Sequence, residues 1–191
     1  MKKSKYRIEV NAPATIAFVV LCVLVYGLTV ITKGSSDKLL FSVYRSKMSD
    51  FLTYPRFLGH VLGHVSWEHL FGNITMVLLL GPMLEEKYGT QYIIKVMLTV
   101  ALVTGVFHFV FDPKTMLMGA SGIVFAFILL SSITGYKENV IPLSFILIAV
   151  IYIGGQLYDW IIVKDDVSNV THILGGVVGA IMGFRTRESS K

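Results

Sequence analysis

Ser121 lies in the stretch "MGASGIVFAF" (Met118–Phe127), between Gly119 and Gly122, within a run from Thr115 to Tyr136 that carries no charged residue. His172 opens a second unusual stretch, "HILGGVVGA", inside an apolar run that begins at Val167. A serine hydroxyl is barely nucleophilic at neutral pH. A neutral imidazole within hydrogen-bond reach can take its proton during attack on a carbonyl. Counted from Thr115 and Val167, and with a rise of 1.5 Å per helical residue, both side chains fall roughly 8–9 Å below the start of their runs. Two helices crossing a membrane in the same sense would therefore present a candidate nucleophile and a candidate base at one depth. Polar or ionisable groups placed inside hydrocarbon are costly and mark function by default.

Other residues fit around this pair. His69 and Asn73 are spaced i, i+4, so on a helix they share one face. Both can donate hydrogen bonds, and with the Ser121 backbone N–H they would form an oxyanion hole. The start of a helix adds unpaired N–H groups and the positive end of its dipole. Gly119 and Gly122 would let backbone and substrate approach the serine closely. Gly175 and Gly179 form a small-xxx-small pair one turn below His172, the pattern that lets two membrane helices come together. Phe125, four residues after Ser121, would place its ring against His172.

Each residue alone has a plainer reading. Serine is common in helix interfaces. His60 and His64 are also spaced i, i+4, but the chain has one cysteine, Cys22, and no HExxH arrangement. No metal or cofactor is implied. Cys22 reads as a small buried hydrophobe, and His108 as a hydrogen-bonded packing residue. Glu85 and Glu86, next to Lys87, read as a solvated helix end. Asp159, Asp165 and Asp166 read as exposed and offer no third member, so the catalytic set is a dyad.

The elements that must carry these residues are helices in a membrane. The 191 residues are 54% hydrophobic and 15% charged, where a soluble domain would carry about 25% charged residues. Six apolar segments emerge: Ala12–Ile31, His69–Leu84, Thr90–Phe111, Gly119–Tyr136, Val140–Tyr158 and Ser168–Phe184. The second and sixth are near or below the roughly 17–25 residues of an ordinary span. The first is too long for a secretory h-region and reads as a retained helix. An even number of crossings puts both basic ends on one side. Lys2, Lys3, Lys5, Arg7 and Arg185, Arg187, Lys191 place that side in the cytoplasm. The net charge of +5 therefore reports orientation rather than nucleic-acid binding. The connection Lys33–Trp67 runs against this pattern with Lys33, Lys38, Arg45, Lys47 and Arg56. Its apolar residues predict short interfacial helices, and Pro55 excludes one continuous helix through it.

The motifs "HVLGHVSWEHLFGN" (His60–Asn73), "GASG" (Gly119–Gly122) and "HILGG" (His172–Gly176), in this order and at matched depth, resemble those of the rhomboid intramembrane serine proteases. The resemblance covers about Phe51–Phe184. It implies an all-α, polytopic, six-transmembrane-helix bundle, with Ser121 as nucleophile, His172 as base and His69 and Asn73 as oxyanion donors. It further implies that His60 and His64 are structural, that Glu85 and Gly89 end the second helix, and that Gly175 packs against the serine helix. Two positions depart from the family pattern. Phe125 stands where tyrosine is usual, and Pro55-Arg56 where Trp-Arg is usual. The expected organisation is a cytoplasmic segment 1–11, a protease domain 12–184 with its core at 51–184, and a cytoplasmic tail 185–191. The expected protein is a multi-pass cell-membrane endopeptidase whose active site opens to the extracytoplasmic side. By resemblance, it acts on single-span membrane proteins. A rhomboid-like protein that binds transmembrane helices without cleaving them, or a small transporter, are the alternatives. The transporter lacks the mid-membrane acids it would need.

Overall fold

A computed structural model describes residues 8–112, 114–134, 140–158 and 168–188. Among them the regular structure is helical: α1 Pro13–Ile31, α2 Thr53–Gly59, α3 Trp67–Tyr88, α4 Thr90–Phe111, α5 Ser121–Ile133, α6 Leu143–Tyr158 and α7 Ser168–Glu188. A π-helical turn at Asp37–Phe41 and a 3₁₀ turn at His60–Leu62 complete the first connection. An isolated bridge pairs Val43 with Leu117, each N–H donating 2.9 Å to the other's carbonyl. It ties that connection to the segment leading into Ser121.

α5 is the central helix. Ile123, Phe127, Leu129 and Leu130 on it are fully buried, together with Leu70, Val77 and Leu84 of α3 and Ile93, Val96 and Val100 of α4. The outward faces are apolar too: Leu24, Leu79, Leu102 and Ile151 are exposed. Water would not tolerate so much apolar surface, whereas lipid is its natural solvent. α1 and α4 are long and apolar enough to cross a membrane, and α5 and α6 are apolar but shorter.

The third segment, Thr90–Phe111, coincides with α4. The second is longer than its apolar run, because α3 continues through polar residues at both ends to reach 22 residues. Ser66 caps its start, its Oγ accepting from His69 N at 3.2 Å. Gly89, with φ of 84°, turns the chain directly into α4. The last helix likewise runs past Phe184 to Glu188. α5 is shorter than its run at the start, since Gly119 has φ of 132° and the helix begins only at Ser121. α6 begins after Pro142, three residues into the run expected from Val140. Tyr136 and the three aspartates of the last connection lie outside the described residues.

Glu85 is not a solvated helix end. It is buried, and its carboxylate accepts from Ala14 N and Thr15 N, both at 2.9 Å, and from Thr15 Oγ1 at 2.8 Å. It thus caps the start of α1 from α3, satisfying N–H groups that have no partner within α1. Arg56 orders the first connection. It donates to Leu39 O at 3.0 Å, pairs with Asp50 at 3.1 Å and lies 4.6 Å from the Tyr44 ring centroid. Pro55 is accommodated within the first turn of α2, where no intrahelical N–H bond is needed.

Candidate active site

Ser121 is the first residue of α5, and His172 lies one turn into α7. Glycines decide how closely these helices approach. A Cβ on Gly175 would lie 2.3 Å from Gly122 O, and one on Gly179 would lie 2.2 Å from Ala126 O. The two backbones therefore touch, with Gly122 and Ala126 of α5 facing Gly175 and Gly179 of α7. One turn further the contact passes to side chains: a Cβ on Gly183 would lie 3.0 Å from Leu130 Cδ1 and 3.2 Å from Ile133 Cδ1.

This seam brings His172 Nε2 to 2.7 Å from Ser121 Oγ. Phe125 stacks on the imidazole at 4.8 Å between centroids with 8° between planes. The edge of Phe125 in turn meets Tyr152 of α6, 5.7 Å away at 86°. His172 Nδ1 lies 2.7 Å from Gln156 Oε1, also on α6.

Gly119, two residues before Ser121, is pressed against the other polar pair. A Cβ there would come within 2.8 Å of His69 Nε2 and 3.7 Å of Asn73 Nδ2, so no larger residue fits. Gly119 N donates to His60 O at 2.9 Å, which fixes the entry to α5. Asn73 is buried, and its Nδ2 has no hydrogen-bond partner among the described residues. A buried donor left free costs stability unless something else uses it. Placed beside the backbone that precedes Ser121, it is a donor available to a developing negative charge.

The remaining histidines support this wall. His60 Nε2 lies 3.3 Å from Thr104 Oγ1, and His64 Nδ1 lies 3.1 Å from Leu62 O. His64 also packs edge-on against His69, with centroids 5.1 Å apart. Burial pushes both imidazoles down to about 4, so both are neutral at pH 7. His108 Nε2 lies 3.3 Å from Thr115 O in the connection between α4 and α5. Among the described residues no group of three or more His, Cys, Asp or Glu side chains has the arrangement of a metal site. Cys22 is buried with its Sγ 4.0 Å from Val61 O.

The structure thus gathers Ser121, His172, Phe125, Gly122, Gly175 and Gly179 on one side, and Gly119, His69 and Asn73 on the other. Gln156 was not expected from the sequence. Its signal was present: it is the one carboxamide in the segment Val140–Tyr158, two residues from that segment's end.

Residues 52–189 match the family model described as "Rhomboid domain", and the chain belongs to the rhomboid family. It is 25% identical over 184 residues to the "Rhomboid protease GlpG" of Yersinia pestis (strain Pestoides F), covering 94% of this chain and 65% of that protein. The same identity and coverage relate it to the protein of that name in Yersinia pseudotuberculosis serotype O:3 (strain YPIII). It is 29% identical over 143 residues to "Rhomboid-related protein 1" of Caenorhabditis elegans, covering 68% of this chain and 39% of that protein. The chain therefore spans slightly under two thirds of the length of its GlpG relatives.

Proposed function

We propose that the protein is an intramembrane serine endopeptidase that uses Ser121 and His172 to cleave transmembrane segments. The observation that carries this reading is the 2.7 Å contact between His172 Nε2 and Ser121 Oγ at adjoining helix starts. The names of the relatives, rhomboid proteases, support it.

Residues 12–184 form the protease domain, crossing the membrane six times, with segments 1–11 and 185–191 in the cytoplasm. The active site then opens to the extracytoplasmic side. Its substrates are single-span membrane proteins, which enter from the bilayer or the outer aqueous face and unwind locally to expose a peptide bond.

Ser121 Oγ attacks the carbonyl carbon as His172 Nε2 takes the hydroxyl proton. The carbonyl oxygen becomes an oxyanion, stabilised by Asn73 Nδ2, His69 Nε2 and the Ser121 N–H. The imidazolium gives its proton to the leaving nitrogen, the C–N bond breaks and an acyl-enzyme remains. Water, deprotonated by the same imidazole, then releases the acid and regenerates Ser121. Gly119 is required because a Cβ there would run into the His69 ring and crowd Asn73 Nδ2, displacing the oxyanion donors.

The test is cleavage of a transmembrane reporter by the purified full chain in lipid nanodiscs, with fluorophosphonate labelling alongside. Ser121→Ala and His172→Asn are expected to lower turnover by about 1,000-fold or more, and Ser121→Ala to abolish labelling. Activity is expected to persist in excess chelator. Equal cleavage by parent and Ser121→Ala proteins would overturn the reading. Absence of both labelling and cleavage in the folded parent would leave helix binding without cleavage as the better account.

A further inference from the structure

α6 is apolar along most of its length, reading LSFILIAVIYIGGQLY. Its outer residues Val150 and Ile151 are about two-thirds exposed. Yet it sends two side chains to one imidazole. Tyr152 meets Phe125, which is stacked on His172, and Gln156 reaches His172 directly. Residues 152 and 156 are one helical turn apart and share a face. Gln156 Oε1 meets Nδ1 at 2.7 Å, while Ser121 Oγ meets Nε2 on the other side of the ring, also at 2.7 Å.

A neutral imidazole carries one ring proton, and which nitrogen holds it decides whether the ring can act as a base toward Ser121. With the proton on Nδ1, the Nε2 lone pair faces the serine hydroxyl and can accept its hydrogen. With the proton on Nε2, the ring donates to Ser121 Oγ and cannot take its proton. With Oε1, which only accepts, turned toward Nδ1, the first tautomer is the one that satisfies both the Gln156 and the Ser121 contacts with Nε2 as acceptor. Membrane surroundings offer the ring few other acceptors, which sharpens the selection.

On the serine protease reading above, we propose that Gln156 is a positioning residue that holds His172 with Nδ1 protonated and Nε2 free, so that the base of the Ser121–His172 dyad is oriented by a neutral amide. Gln156 touches neither substrate nor the reacting atoms. It does through an uncharged amide what a carboxylate does in a charged triad, where losing the correct tautomer is costly to turnover. The amide brings no buried negative charge, which suits a helix whose remaining surface faces lipid. It also leaves the imidazolium without a carboxylate partner, so its benefit is orientation and tautomer, not charge.

The experiment uses the full chain in lipid nanodiscs, with Gln156→Leu removing the acceptor at similar size and Gln156→Glu keeping one. Reporter cleavage gives kcat and KM. ¹⁵N spectra of ring-labelled protein give the tautomer, with the His172 signals assigned by their loss in His172→Asn. Gln156→Leu is expected to lower kcat roughly 10- to 100-fold with KM within about threefold, and Gln156→Glu to restore kcat to within about tenfold of the parent. The parent spectrum is expected to show protonated Nδ1 and unprotonated Nε2, and Gln156→Leu a mixture of tautomers. A parent ring protonated on Nε2 would overturn the proposal, as would unchanged kcat and an unchanged tautomer in Gln156→Leu. A kcat loss in Gln156→Leu that follows lost thermal stability, with the tautomer unchanged, would also overturn it by reducing Gln156 to packing. The two readings fail separately. If Ser121 neither labels nor cleaves in the parent, the protease assignment falls, while the ring spectra still decide what Gln156 does to His172.

Discussion

His172 is held from two sides by two different kinds of packing. On the α5 side, backbone lies on backbone, with Gly175 against Gly122 and Gly179 against Ala126, closer than any Cβ allows. On the α6 side, the contacts among the described residues are made by side chains, Gln156 directly and Tyr152 by way of Phe125. Among the described residues, Gly154 and Gly155 on α6 have nothing within 4 Å of where a Cβ would stand. The first kind of contact sets distance, because main chains cannot be shortened or rotated away. The second sets direction, because an amide and a ring tell the imidazole which way to face. A base in a shared site needs both: distance comes from the α5–α7 seam, and direction from Gln156 of α6 together with Phe125, an α5 ring braced by Tyr152 of α6.

The glycine seam offers the largest test of this division. Gly175→Ala places a methyl 2.3 Å from a carbonyl oxygen, so α5 and α7 must part by about 1 Å to reach an ordinary contact distance. Overpacking of this kind costs about 1–3 kcal/mol, and a 1 Å displacement of a base costs on the order of 100-fold in rate. Reporter cleavage and thermal unfolding of Gly175→Ala are expected to fall together. Parent-like turnover in that variant would mean that the seam does not set the Ser121–His172 distance.

A middle-sized effect is expected at Phe125, where the two kinds of packing meet. The ring stacks on His172 and is braced by Tyr152. An aromatic contact is worth roughly 0.5–1.5 kcal/mol beyond area burial, so Phe125→Ala is expected to lower kcat/KM about tenfold or more. Phe125→Tyr keeps the ring and is expected to stay within about threefold. Steady-state kinetics of the three proteins, after matching their thermal unfolding, decides the matter. Phe125→Ala at parental activity would remove the ring from the account of how the base is directed. A large gain in Phe125→Tyr would identify the natural phenylalanine as a weakening of the site.

The same contrast explains what could be read from the chain alone. Ser121, His172, His69 and Asn73 stood out because polar groups in apolar runs are rare and their depth follows from helical rise. Gly175 and Gly179 stood out by their spacing. Glu85 did not, because the N–H groups it caps lie about 70 residues away, on Ala14 and Thr15. Nothing local distinguishes such a carboxylate from a solvated one. The start of α5 at Ser121, rather than at Gly119, depends on a positive φ that the sequence permits but does not require. Both ends of α3 and the C-terminal end of α7 are not legible because hydropathy marks the apolar part of a helix, not its polar turns. Gln156 is hard to read for a chemical reason: the familiar partner of a base is an acid, whereas a neutral acceptor serves the tautomer equally well.

The smallest effect is expected at Gly154, and it sharpens the comparison from the other direction. A methyl there meets nothing within 4 Å among the described residues, so Gly154→Ala adds no clash with them. Glycine inside a helix costs about 1 kcal/mol relative to alanine, because the unfolded chain has more freedom to lose. The substitution is expected to leave kcat/KM within about twofold and thermal stability equal or slightly higher. The same alanine change is therefore severe on α7 and silent on α6, although α7 carries the imidazole and α6 contacts it. Paired measurement of Gly154→Ala and Gly175→Ala by cleavage and unfolding makes the test quantitative. If Gly154→Ala loses activity as Gly175→Ala does, α6 is packed as closely as the seam during turnover. The division between a helix that sets distance and a helix that sets direction would then fail.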